Sequence, residues 1–248
     1  LKSAEAWPRS VDLSSDRGPK PRWRAPWLAG APWAAAVWAS VCLLLVSVSV
    51  AFVDRPFARM MHDLFRDGPA AAALAELPQT GILVPLLVIS TVVVCLIAGM
   101  RPAVVVRIGF TALVSFAISE AIKTSLKIAF GRTWPETWVH RNPSYIHDGV
   151  YGFFPFHGGD GYASFPSGHM TAAAAVMTVA WLMLPRGRVA WAVVMGLSAA
   201  GLLAMNYHFV SDVIAGFFLG SGVAVLIVRL MRQLMTRVAE ATGTDRAP

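Results

Sequence analysis

Charge is what this chain has least of. Only 14% of its 248 residues are Asp, Glu, Lys or Arg, where a soluble domain carries roughly 25%. Hydrophobic residues make up 56%, so lipid is the expected solvent for much of the surface. The chain has two cysteines, Cys42 and Cys95, each inside an apolar run. No CxxC or Cys/His spacing accompanies them, which excludes a structural zinc module of the usual kind. The basic residues form no patch interleaved with aromatics, so the net charge of +7 is not read as nucleic-acid binding. No soluble domain and no internal repeat is legible.

Long apolar runs are abundant. Six of them approach the ~20 residues needed to cross ~30 Å of hydrocarbon: 33–53, 81–99, 103–127, 169–184, 189–206 and 212–230. The fold expected is therefore all-α, an integral membrane bundle of six transmembrane helices. A basic tail over 1–30 is broken by Pro8, Pro19, Pro21 and Pro26 and is expected to be disordered and cytoplasmic. The transmembrane domain is expected over 31–232, and a cytoplasmic C-terminal tail over 233–248. The run from 33 starts too late and is too long for a cleaved signal peptide.

Most of the Lys and Arg residues fall in segments that share one side if the N-terminus is cytoplasmic: the tail, Arg101 and Arg107, Arg186 and Arg188, then Arg229, Arg232, Arg237 and Arg246. The positive-inside rule then puts both termini in the cytoplasm. The outer side receives a loop over 54–80, a long loop over 131–168 and the short turn around His208.

Polar chemistry gathers on that outer side in three clusters. The first is Lys123 and Lys127, four apart on one helix face, leading into Gly131-Arg132-Thr133-Trp134-Pro135. Glu120 lies on the same face and can neutralise one lysine; alone, the pair also reads as snorkelling lysines at a helix end. The second is Phe165-Pro166-Ser167-Gly168-His169 ahead of an apolar helix. Ser167 is a good N-cap, Gly168 leaves the backbone open to close approach, and a helix N-terminus favours an anion. The third is Asn206-Tyr207-His208-Phe209-Val210-Ser211-Asp212. If helical there, Asp212 reaches one imidazole nitrogen of His208 and leaves the other for chemistry. Cations, an anion-binding helix end and two histidines are the parts phosphoryl transfer needs.

Together these stretches resemble the three motifs of the type-2 phosphatidic acid phosphatase superfamily, in order and spacing, over roughly residues 100 to 225. The resemblance implies that His208 attacks phosphorus to form a phosphohistidine, that Asp212 orients it, and that His169 protonates the leaving oxygen. It implies that Lys127, Ser167 and the Gly168 backbone hold phosphate oxygens, and that neither metal nor cofactor is needed. Two of the three motifs depart from the pattern. Trp134 stands where the first motif has Arg, and Gly201 and Leu202 stand where the third has Ser-Arg. Arg132 is the expected replacement phosphate ligand, with Lys123 and Arg141 as further substitute cations.

The function expected is metal-independent hydrolysis of a lipid phosphate or pyrophosphate at the outer face of a bacterial inner membrane. The partners are the bilayer and the lipid substrate, without nucleic acid. A lipid phosphotransferase on the same fold, or a lipid-binding protein that kept the scaffold, are the alternatives. The outer loop over 134–165 is rich in aromatics and holds Gly158, Gly159 and Gly161. It reads as an interfacial belt or as a hinged wall for a lipid tail. Its histidines, His140, His147 and His157, read as surface residues. Gly216 and Gly220 form a small-xxx-small pair for close helix packing, within the bundle or between copies.

Overall fold

The computed structural model describes residues 32–65, 99, 101–137 and 141–242. The tail over 1–30 and the span expected at 81–99, apart from Gly99, lie outside the described residues. In chain order the helices are α1 (Pro32–Val48), α2 (Asp54–Phe65), α3 (Pro102–Phe130), a single turn α4 (Tyr145–Asp148), α5 (Gly168–Met183), α6 (Arg188–Ala204) and α7 (Val210–Thr242). The fold is an all-α membrane bundle. Four helical stretches are long and apolar enough to cross a membrane: Trp33–Phe65, Pro102–Phe130, Pro185–Ala204 and Val210–Val238.

The outer loop expected from residue 54 is helix for its first turns. A π-helical segment, Ser49–Val53, joins α1 directly to α2. Pro56 therefore lies inside one continuous helical stretch, Trp33–Phe65, and the π-helical turn just before it takes up the irregularity that a missing N–H introduces. Past the join the pattern changes. Asp54 and Ala58 are buried while Arg55 and Arg59 are exposed, so α2 carries one face against the protein.

α5 is the centre of the bundle and packs against α3, α6 and α7, while α1 lies against α7. Its 16 residues rise only about 24 Å, short of the hydrocarbon thickness, and almost none of them meets lipid. Ala172, Ala173, Ala174 and Ala175 are all at most 3% exposed. Small side chains let the neighbouring backbones close in, which is how helices associate where lipid offers no hydrophobic drive. The main apolar cluster forms around Val176, Met177 and Ala180, with Ile108, Trp191 and Val228 from the surrounding helices. Leu43, Phe52, Phe110, Leu197 and Leu226 point outward and are exposed, an arrangement stable only in lipid.

The Gly216–Gly220 pair serves this packing inside one chain. A Cβ at Gly220 would stand 2.2 Å from the Thr171 carbonyl oxygen, and one at Gly216 would stand 2.6 Å from that of Ser167. Both obstacles are backbone of α5 and its cap, so neither can swing aside. By contrast a methyl group added at Gly196, on α6, would meet nothing within 4 Å. Gly220→Val is therefore expected to cost about 1–3 kcal/mol through overpacking. Gly196→Ala is expected to leave the thermal midpoint in detergent unchanged or slightly raised. Thermal unfolding of the two variants beside the parent checks this.

Candidate active site

The site is built at one end of the bundle, where α3 stops, α5 starts and the turn after α6 runs into α7. Gly131 ends α3 with a left-handed backbone (φ 55) and returns its N–H to the Lys127 carbonyl. No other residue fits, because a Cβ there would stand 1.8 Å from the Phe154 carbonyl oxygen. The turn sends Arg132 into the interior, where short bridges pair it with Phe153 and Ala163. Ser167 caps α5, its hydroxyl accepting from the Met170 N–H at 3.3 Å. Its own N–H donates to the Asp212 carbonyl at 3.0 Å, which sets the start of α5 against the start of α7.

The two histidines come together. The rings of His169 and His208 have centroids 6.5 Å apart, close enough for one phosphorus to lie between them. His208 is buried, in the turn just before α7. Its Nδ1 faces Asp212 Oδ2 at 3.6 Å, and the Ser164 hydroxyl stands 3.4 Å from the same nitrogen. Ser164 donates to Asp212 Oδ2 at 2.6 Å, and the Phe209 N–H donates to that oxygen at 3.0 Å. Asp212 thus reaches the imidazole partly through a serine, rather than by the direct contact expected from their spacing.

The cations are distributed unevenly. Lys123 pairs with Glu120 at 2.6 Å, and its side chain runs along Gly168, with Nζ 3.6 Å from where a Cβ would be. Lys127 Nζ stands 5.7 Å from the centre of the Trp134 ring. Lys123 therefore stands beside the N-terminus of α5, and Lys127 beside the Trp134 indole. Arg141 is exposed on a turn with φ 56, and among the described residues nothing ties it to the site.

Arg132, expected as a phosphate ligand, is placed otherwise. It is fully buried, with Nη2 bonded to Asp54 at 2.6 Å and Nη1 to Asp212 at 2.6 Å. Nη1 also donates to the Ser211 hydroxyl at 2.5 Å, while Nε is buried without a hydrogen-bond partner among the described residues. The rings of Phe209 and Phe153 stand 4.5 Å and 4.6 Å from its Cζ. A guanidinium enclosed in this way, between two carboxylates and aromatic walls, is a structural tie. Part of the aromatic loop, read from sequence as belt or lid, serves here as the lining of a buried ion pair.

The chain matches the family model of the PAP2 superfamily over residues 108–236. It belongs to that superfamily. It is similar to lipid A 1-phosphatase of Rhizobium johnstonii, at 36% identity over 105 residues, covering 41% of this chain and 38% of the relative. It is likewise similar to lipid A 1-phosphatase of Rhizobium etli, at 33% identity over 123 residues, covering 48% of each. The chain thus matches under half the length of either relative. Among solved structures it resembles the PAP2-type phosphatidylglycerolphosphate phosphatase of Bacillus subtilis, with a TM-score of 0.54 and 21% identity over 80% of this chain and 96% of that one. At that identity the likeness is one of fold.

The two positions where the motifs carry Arg are filled by apolar side chains, Trp134 and Leu202. Leu202 is buried in a cluster with Met170, Ala174, Met205 and Val213. Trp134 lies over His208 with ring centroids 5.2 Å apart, and its indole N–H donates to the Asp160 carbonyl at 2.7 Å. It covers the histidine and fastens the glycine-rich loop above it. Sequence reasoning misses three residues of the site. Asp54 ends the first apolar run, and an ionisable side chain there is a usable signal. Ser164 and Ser211 carry no signal of their own.

His147 and His62 both bond Glu136, at 2.5 Å and 2.8 Å, so His147 has a partner rather than being a plain surface residue. Among the described residues no three His, Cys, Asp or Glu side chains form a metal-ligating group.

Burial lowers the His208 imidazole from its ordinary 6.5 to about 4, against the opposing pull of Asp212. The ring is then neutral through the physiological range, as a nitrogen nucleophile must be. If His208 must be neutral for turnover, the acid limb it imposes on kcat/KM falls near pH 4 and not near 6.5. A pH–rate profile measured from about pH 3.5 upward checks this. For Arg132, removing one partner of a buried pair strands the other charge and costs about 3–5 kcal/mol. Arg132→Ala is expected to reduce folded yield and thermal midpoint, measured by size exclusion and thermal unfolding, before any effect on substrate affinity is seen.

Proposed function

We propose that this PAP2 protein is a membrane phosphatase that hydrolyses a lipid phosphate monoester through a phosphohistidine. The observation that carries the proposal is the pairing of two imidazoles 6.5 Å apart beside a helix N-terminus and two lysines. His208 Nδ1 faces Asp212 and Ser164, which leaves Nε2 for attack. Nε2 bonds to phosphorus as the ester P–O bond breaks, and His169 gives the leaving oxygen a proton. Water then attacks the phosphohistidine, its proton passes to His169, and inorganic phosphate departs. Lys127, Lys123 and the N–H groups at the start of α5 offset the charge on the phosphoryl oxygens. Arg132 holds the assembly in place from behind, and Arg141 takes no part.

The names of the relatives support a lipid A phosphate as the substrate to test first. The exposed apolar belt supports a lipid over a soluble ester, since a tail can lie against the helices while the headgroup reaches the helix ends. Six membrane spans, the second at 81–99, with both termini cytoplasmic and the site on the periplasmic side of a bacterial inner membrane, complete the reading. Charge distribution supports that orientation.

A second reading draws on Trp134. An indole over the nucleophile, tied to the loop above, restricts water on that face. An acceptor alcohol entering along the bilayer would then take the phosphoryl group, making the protein a phosphotransferase.

The test is a phosphate-release panel of lipid A, phosphatidic acid, phosphatidylglycerophosphate and polyprenyl pyrophosphate, run in detergent with chelator. Release from at least one member, lost by a factor of about a thousand or more in His208→Ala, is the expected result. Equal release by wild type and His208→Ala would falsify the nucleophile. Radiolabelled phosphorus appearing in a second lipid instead of in free phosphate selects the transfer reading.

A further inference from the structure

Asp54 is a fully buried carboxylate on the first helical stretch, 1% exposed, and it lies outside the residues 108–236 that match the family model. Its Oδ2 accepts from Arg132 Nη2 at 2.6 Å, from the Ser211 hydroxyl at 2.5 Å and from the Tyr151 hydroxyl at 3.2 Å. Its Oδ1 accepts from the Ser211 N–H at 3.0 Å. Every one of these donors also borders the nucleophile's support. Arg132 bonds Asp212, Ser211 precedes Asp212 in the first turn of α7, and Tyr151 donates to the Val50 carbonyl at 2.8 Å and packs on Phe209. A second tie runs alongside, from the Asn206 amide to the Ala58 carbonyl at 2.8 Å.

The charges within this cluster do not cancel. Asp54 and Asp212 share one guanidinium, so two carboxylates face one cation. With Arg132 and Asp212 alone the pair would be neutral, and the guanidinium would draw on the carboxylate that faces His208. When imidazole attacks phosphorus through one nitrogen and keeps the proton on the other, positive charge develops on the ring. A cluster with one negative charge in excess is complementary to that state and less so to the resting ring, which is the condition for lowering a barrier rather than merely binding.

We infer that Asp54 is a positioning residue for the nucleophile: by taking one side of the Arg132 guanidinium it leaves the Asp212 carboxylate under-neutralised and available to the His208 ring as that ring becomes phosphorylated. This rests on the reading of His208 as nucleophile. It makes the first membrane helix part of the reaction machinery, through two intermediaries and without contact with substrate. Asp54→Asn removes the charge at nearly constant volume: its amide oxygen can still accept from Arg132 and the Ser211 hydroxyl, its NH2 gives up the bond from the Ser211 N–H, and Arg132 and Asp212 remain as a neutral pair.

The experiment measures kcat and KM for Asp54→Asn, Ser211→Ala and His208→Ala per folded molecule, on the fastest lipid of the panel and on p-nitrophenyl phosphate. Base-stable radiolabelled phosphoenzyme is quantified after alkaline quenching. The expected result is a kcat for Asp54→Asn lower by on the order of tenfold to a hundredfold, as for other residues that orient a reacting ligand from behind. KM is expected within about twofold of wild type, and phosphoenzyme formation is expected to slow in parallel. A merely structural carboxylate would reduce the amount of folded enzyme and leave kcat per folded molecule, KM and phosphoenzyme formation as in wild type; that outcome overturns the inference. Should Asp54→Asn fail to accumulate, Ser211→Ala decides. It removes a bond to both Asp54 and Arg132 without changing charge, so a several-fold loss of kcat at constant KM supports the inference and an unchanged kcat overturns it. Full activity in His208→Ala would instead remove the functional reading on which this stands.

Discussion

The structure depends on one arginine kept away from both water and lipid. Arg132 sits at zero exposure at the end of a helix bundle, where an unpaired cation would be intolerable. Two carboxylates from distant parts of the chain meet it, Asp54 from the first helical stretch and Asp212 from the last. Desolvating three charges is expensive, and their attraction offsets that cost only with short bonds and full hydrogen bonding. The bonds are short, with both ion pairs at 2.6 Å, and Ser211, Tyr151 and Ser164 donate to the remaining carboxylate positions; on the guanidinium only Nε lacks a hydrogen-bond partner among the described residues. The aromatic rings around the guanidinium keep water out and add favourable cation–π geometry.

Much else follows from where that knot is tied. It joins the end of α3, the start of α2 and the start of α7, so the helix ends that carry polar chemistry are held in one layer. The close approach of α5 and α7 does the rest. Gly216 and Gly220 let the two backbones touch, bringing the capped start of α5, with Ser167 and His169, to the turn that carries His208. The candidate site is thus assembled by helix packing and by the two buried salt bridges of Arg132. The loop after α3 contributes as well, through Arg132, Tyr151 and Ser164.

The chemistry of the pocket differs from what the family motifs alone suggest. Where cations are expected, an indole and a leucine stand, and both are integrated into packing: Leu202 in an apolar cluster, Trp134 against the His208 ring and the loop above it. The nearby cations are Lys123, beside Gly168 and already paired with Glu120, and Lys127, beside the Trp134 ring.

The amino-acid sequence by itself determined the all-α membrane class and the stretches that carry the family motifs. Apolar run length marks a membrane span because hydrocarbon thickness is fixed. The stretches Pro166-Ser167-Gly168-His169 and His208 to Asp212 place their groups through local helix geometry, which is legible at a spacing of a few residues. The aim of Arg132 is not legible. Its type and its place after Gly131 single it out, but its role depends on Asp54, 78 positions away, and on Asp212, 80 positions away. Neither separation has a period to betray it. Likewise Lys123 and Arg141 look equivalent as spare cations until the bundle sets one beside Gly168 and leaves the other exposed. Composition and spacing report what a residue is and what its near neighbours are. Which side chains share a buried volume is decided only when distant helix ends are brought to the same depth, because the energy of a charge depends on its surroundings and not on its place in the chain.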